Sequence, residues 1–171
     1  DYVGGLRDLC HEHGLKMGLE NYGHWGFPAE FLQYGGACDE IGGEFWANGN
    51  YDDPSDFNYL GRVELRDAAS AAHIYGKSAV WAEAFTGGQA FVNTPRDLKG
   101  RGDWALCEGI NQFVFHVYIH QPWEDKKPGV NAWFGTEFNR HNTWFDEGKA
   151  WIDYLRRCTV MLQAGQPVAD V

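Results

Sequence analysis

The sequence has 171 residues, room for one domain or a large part of one. It is 44% hydrophobic with a mean hydropathy of −0.47, which suits a packed core, weighs against disorder and leaves no apolar run near the ~18–20 residues that cross a bilayer. With 24 acidic and 14 basic residues the formal charge is −10, and Lys and Arg form no stripe, so neither nucleic acid nor membrane is an expected partner.

The opening DYVGGLRDLC has no initiator Met and no charged-then-apolar leader pattern, and reads as part of a longer protein. Val3, Leu6, Leu9 and Cys10 recur at helical spacing, predicting a helix over 2–13 that Gly14 closes. The short apolar run 15–23 between glycines reads as a buried strand, and 28–34, starting at Pro28, as a short helix. A strand is expected over 38–46 (CDEIGGEFW), then a polar loop over 47–56. Residues 62–75 form a helix ended by Gly76 and Lys77, and 78–88 (SAVWAEAFTGG) the clearest strand. A looser helical stretch covers 96–108, followed by a β-rich run over 110–122 and a loop over 123–141. Thr143 and Asp146 resemble a capping box opening a last helix, with Trp144, Trp151, Leu155, Cys158 and Leu162 on one face and an end at Gly165.

Strands separated by helices imply parallel pairing with right-handed crossovers. Each expected strand runs into polar sequence at its carboxyl end: Glu20-Asn21, Glu44-Phe45-Trp46, Glu83-Ala84-Phe85, His120-Gln121. Polar groups after every strand favour a β/α barrel over a doubly wound sheet, whose ligand sits at one switch point. The expected fold is therefore α/β, the C-terminal half of a (β/α)8 TIM-type barrel truncated at both ends. Residues 1–165 form that half and 166–171 begin a following domain. The four cysteines (Cys10, Cys38, Cys107, Cys158) lack CxxC spacing, so buried thiols are expected, with distant disulfides as the alternative.

Aromatic residues make up 16% of the chain. Flat ring faces beside carboxylates and amides suit sugars, whose C–H faces stack while their hydroxyls bond polar groups; an aromatic-rich core is the other account. Glycoside hydrolysis needs two carboxyls, one protonating the leaving oxygen and one activating water or attacking. Glu83 and Glu44 are the candidate catalytic carboxylates; a strand-end ion pair or helix cap is the structural alternative for Glu83. Glu20, Trp81, His120, Gln121 and Asn139 are candidates for substrate binding. His116 and His120, four apart in a strand, would share a face, yet no third metal ligand can be named, and His116 is expected as an interior histidine. The acidic loop Asp52, Asp53, Asp56 lacks the EF-hand pattern and reads as solvated.

The blocks GGEFW (42–46), ASAAHIYGKSAVWAEAFT (69–86), CEGINQFVFHVYIHQP (107–122), FNRHNTWF (138–145) and WIDYLRRCTVMLQAGQPVADV (151–171) resemble glycoside hydrolase family 106, the α-L-rhamnosidases. The resemblance implies a barrel catalytic domain in a longer chain, inverting hydrolysis of terminal α-L-rhamnosides in polysaccharides or glycosides, and an active-site calcium. It implies that Glu83 is the general base, that Glu44 is associated with calcium or substrate, and that the general acid lies upstream of residue 1. A periplasmic or secreted location follows from the resemblance alone. The competing readings are another barrel glycosidase of the β-galactosidase kind, a non-catalytic carbohydrate-binding barrel, and a metal-dependent hydrolase using His116 and His120.

Overall fold

The computed structural model describes residues 2–21, 30–49, 59–88 and 90–168. In chain order it runs α1 (Tyr2–Glu12), β1 (Gly18–Glu20), α2 (Phe31–Ala37), β2 (Glu40–Trp46), α3 (Tyr59–Ile74), β3 (Val80–Thr86), α4 (Pro95–Cys107), β4 (Gln112–Phe115) and α5 (Lys149–Gln163). The strands form one sheet in the order β1-β2-β3-β4, and every pair is parallel. Each strand thus pairs with its sequence neighbour across an intervening helix, the arrangement that the alternating pattern predicts.

Local chemistry sets the helix ends. The Glu30 carboxylate caps α2 by accepting the Leu32 and Gln33 amides at 3.3 and 2.6 Å. Before α4, the Asp97 carboxylate accepts both the amide and the hydroxyl of Thr94, at 2.9 and 2.6 Å, with Pro95 at the first helical position. The capping box expected at Thr143 and Asp146 is not used: α5 begins later, at Lys149, with Gly148 as its cap and no side-chain cap bond. Trp144 consequently lies in the turn before α5, where it packs edge-on against Trp151, and Leu162 is exposed while Trp151 and Leu155 are buried.

The core fills the space between the sheet and its helices. Ile41, Phe45, Val80, Ala82 and Ala84 of β2 and β3 meet Leu65, Ala68 and Ala72 of α3, Leu98 and Ala105 of α4, and Trp151 and Leu155 of α5. Phe45, Phe85, Phe113, Phe115, Phe138, Trp144 and Trp151 form one continuous ring cluster here. Much of the aromatic content thus belongs to the core, and burying each such ring contributes about 1.5–3 kcal/mol.

The strand expected over 110–122 stops at Phe115. Beyond it the backbone pairs with a later loop: Val117 N–H donates to Thr136 O, Thr136 N–H to His116 O and Phe138 N–H to Val117 O. That pairing uses the alternating pattern of 116–120 away from the sheet, so His116 and His120 do not share a strand face. At the opposite end of the sheet, Asn111 ties three elements. Its Oδ1 accepts Val80 N–H at 2.8 Å, its Nδ2 donates to Ser78 O at 2.9 Å, and its carbonyl accepts the Gln163 amide at the end of α5 at 3.0 Å. All four cysteines are free thiols, and of these only Cys38 is buried, while Cys107 is exposed.

Candidate active site

Side chains alternate between the two faces of a strand, and register partners in a parallel pair share a face. Glu44 is the register partner of Glu83, Gly42 of Trp81, and Glu20 of Gly42. Glu20, Glu44, Trp81 and Glu83 therefore lie on one face, opposite Ile41, Phe45, Ala82 and Ala84 of the core. Glu20 ends β1 and Glu44 lies in the carboxyl-terminal half of β2, whereas Glu83, expected to close its strand, is the central residue of β3, which continues to Thr86.

The double glycine of GGEFW divides its work between the two faces. A Cβ on Gly42 would sit 2.2–2.6 Å from the Trp81 indole, so the ring lies flat across that bare stretch of β2 and floors the carboxylate cluster. On the opposite face a Cβ on Gly43 would come 3.0 Å from the Glu64 carbonyl oxygen, where the α3 backbone rests against the strand.

Each carboxylate has its own environment. Glu44, 4% exposed, accepts the indole N–H of Trp46. Glu83 is half-buried and accepts the Thr86 hydroxyl at 2.8 Å. Glu20 has a buried Oε1 without a hydrogen-bond partner among the described residues. Burial, first, and then the nearby charges of Glu83, Glu44 and Glu64 push its pKa up to about 7. Next to Glu20, the backbone N–H of Asn21 donates to Gly42 O at 2.5 Å and the Asn21 side-chain Oδ1 accepts the Tyr34 hydroxyl at 3.0 Å, fastening β1 to β2 and α2.

The loop after β4 crosses this end of the sheet. Gly135 N–H donates to Gly87 O at 2.5 Å, and Phe134 stacks on both Trp46 and His116. Gln121 is buried and committed to its own loop: its amide nitrogen donates to the Ile119 and Val130 carbonyls and its Oε1 accepts Val130 N–H. Asn139 is also buried, with its Oδ1 accepting His141 N–H at 2.9 Å. His120 is exposed. Asp52, Asp53 and Asp56 lie outside the described residues.

Two participants escape a reading by sequence motif. Glu64 is fully buried on α3, and its signal is a charge within the apolar stripe that continues to Ala68, Ala71 and Ala72. Trp46 sits two residues after Glu44, the spacing that returns a strand side chain to the same face. Among the described residues no three His, Cys, Asp or Glu side chains gather closely enough to hold a metal ion. What they offer is a cluster of unequal carboxyls over an aromatic floor.

Residues 1–171, the whole chain, match the model of the family described as alpha-L-rhamnosidase, glycoside hydrolase family 106. A Formosa agariphila protein named "Putative beta-glucuronidase" is 44% identical over 174 residues, covering 100% of this chain and 14% of that protein. The solved structure of a rhamnosidase from Novosphingobium sp. PP1Y superimposes with a TM-score of 0.86 at 32% identity, covering 98% of this chain and 16% of that one. The chain thus spans a small part of the length of each protein it matches.

Proposed function

Because the chain belongs to the alpha-L-rhamnosidase family, glycoside hydrolase family 106, we propose that it forms part of a glycosidase active site that hydrolyses terminal α-L-rhamnosides with inversion. In this reading the four-stranded sheet is half of an eight-stranded barrel, and the face carrying Glu20, Glu44 and Glu83 turns to its interior. Glu83 takes a proton from water as that water attacks the anomeric carbon; the bond to the leaving oxygen breaks, and an acid outside this chain protonates that oxygen.

The observation that carries the reading is the register pairing of Glu44 with Glu83. Partners on adjacent strands stand about 4.8 Å apart at the backbone. An inverting pair needs roughly 6.5–9.5 Å between its carboxyls to admit water, whereas a retaining pair needs about 5–5.5 Å. With the acid placed outside this chain, Glu44, the register neighbour of Glu83, is left for another role. Held by Trp46, it orients substrate instead, and Glu20, protonated near neutrality, donates a hydrogen bond to a sugar hydroxyl. Trp81 supplies an apolar face that suits the 6-methyl group of a deoxy sugar. The calcium implied by the family has no complete ligand set among the described residues, and none of these roles depends on it.

The test uses the full-length enzyme and an aryl α-L-rhamnoside whose leaving group needs no protonation. Glu83→Gln lowers kcat by at least about 100-fold, the contribution of a positioned base, and NMR of the wild-type reaction shows β-L-rhamnose as the first product. Near-normal activity of the variant overturns the assignment of the base, and α-L-rhamnose as first product overturns inversion. The 44% identical relative carries a glucuronidase name, so an aryl β-glucuronide is assayed alongside. A glucuronide brings its own carboxylate against three others, which disfavours it here; preferential cleavage of the glucuronide overturns the rhamnoside assignment.

A further inference from the structure

Trp133 is 87% exposed, an unusual state for so large an apolar side chain. It is not isolated. Its ring centroid lies 4.3 Å from that of Phe134, and Phe134 stacks on Trp46 at 6.3 Å with 15° between the planes. Trp46 in turn donates its indole N–H to Glu44. A continuous series of rings thus leads from solvent to the carboxylate cluster. His116 braces it, stacked on Phe134 at 5.0 Å, so that Trp133 stands on a fixed base at the rim.

We infer that Trp133 is the platform for the leaving group, stacking on the C–H face of the pyranose ring to which the scissile sugar is attached. The inference rests on the glycosidase reading and adds a subsite to it. A terminal sugar bound among Glu20, Glu44 and Glu83 over Trp81 must project its aglycone outward, and the ring series from Trp46 marks one direction out. An exposed indole offers a flat apolar face to a sugar's axial hydrogens and costs little ordering, because it has only two side-chain torsions to fix. The site selects a saccharide over a one-atom leaving group.

The full-length enzyme is compared with Trp133→Ala and Trp133→Phe on two substrates: an α-L-rhamnosyl disaccharide and α-L-rhamnosyl fluoride, whose leaving group has no ring to stack. Trp133→Ala is expected to lower kcat/KM on the disaccharide about tenfold, the size of one stacking contact, to leave the fluoride unchanged, and to keep the melting temperature. Trp133→Phe recovers most of the loss. Equal losses on the two substrates, or no loss on the disaccharide, overturn the platform while leaving the glycosidase reading intact. A wild-type enzyme that cleaves neither rhamnoside overturns both.

Discussion

Glu20 shows how position sets the state of a side chain. Burial, with one carboxyl oxygen left without a partner among the described residues, and then the charges of Glu83, Glu44 and Glu64 make it keep its proton to about pH 7, where an unperturbed glutamate releases it near 4.5. Between those values the folded state binds the proton and the unfolded state does not. Stability therefore falls as pH rises through that window, and Glu20's contribution is constant above it. Glu20→Gln removes the titration. In thermal melts of the full-length protein the variant gains on the wild type from pH 5 to 7, and the difference then stays constant; a pH-independent difference contradicts the raised pKa of Glu20. The three glutamates were visible in the sequence because each follows an apolar stretch, although β2 and β3 run on past Glu44 and Glu83. The raised pKa of Glu20 was not, since it depends first on burial in the folded chain and then on charges brought near by strand register and by α3, which no local pattern contains.

At the scale of elements, the two glycines of β2 make separable demands. Gly42→Ala pushes a methyl group into the Trp81 ring on the polar face, whereas Gly43→Ala pushes one into the α3 backbone on the core face. Gly43→Ala is expected to cost stability by about 1–3 kcal/mol, as overpacking does, while Gly42→Ala displaces the indole and shows mainly in KM. Denaturant unfolding and steady-state kinetics on the full-length enzyme separate them, and identical profiles would show that the faces are not distinct. The pattern of the chain predicted the alternation of five helices and four strands because apolar periodicity and glycine stops are local. It failed where tertiary pairing intervened. The run 110–122 has strand alternation throughout, but His116 and Val117 take their partners from Thr136 and Phe138. Thr143 and Asp146 have capping-box spacing, yet Trp144 packs on Trp151 and the helix starts beyond them. Aromatic content fitted sugar binding and core equally well from composition; the fold places the phenylalanines at 45, 85, 113, 115 and 138 in the core cluster and leaves Trp46, Trp81, Trp133 and Phe134 outside it.

For the whole molecule, the sheet presents apolar surface beyond its own helices. Val114 of β4 is 49% exposed, and Val160 and Met161 of α5 are 69% and 76% exposed, beside a strand with no further partner among the described residues. Such an edge is a template for pairing with another chain. The 171-residue chain prepared alone is therefore expected to self-associate, with a light-scattering mass above 19.3 kDa that rises with concentration. A monodisperse monomer at tens of micromolar would show that this surface is tolerated in water.

The loop bearing Trp133 reaches the sheet through main-chain groups: Gly135 N–H to Gly87 O, Thr136 N–H to His116 O, Val117 N–H to Thr136 O. Every residue type except proline carries both of those groups. These bonds, with the Phe134 ring stacked on Trp46 and His116, hold the loop without the Trp133 side chain, so a change at 133 alters what the tip displays without loosening the anchor. In the proposed assignment, catalytic chemistry sits on strands, where a change disturbs the core, and selectivity on a tip where it does not. Evolution can retarget such an enzyme to new glycosides by drift at a few positions while the hydrolytic apparatus stays under constraint.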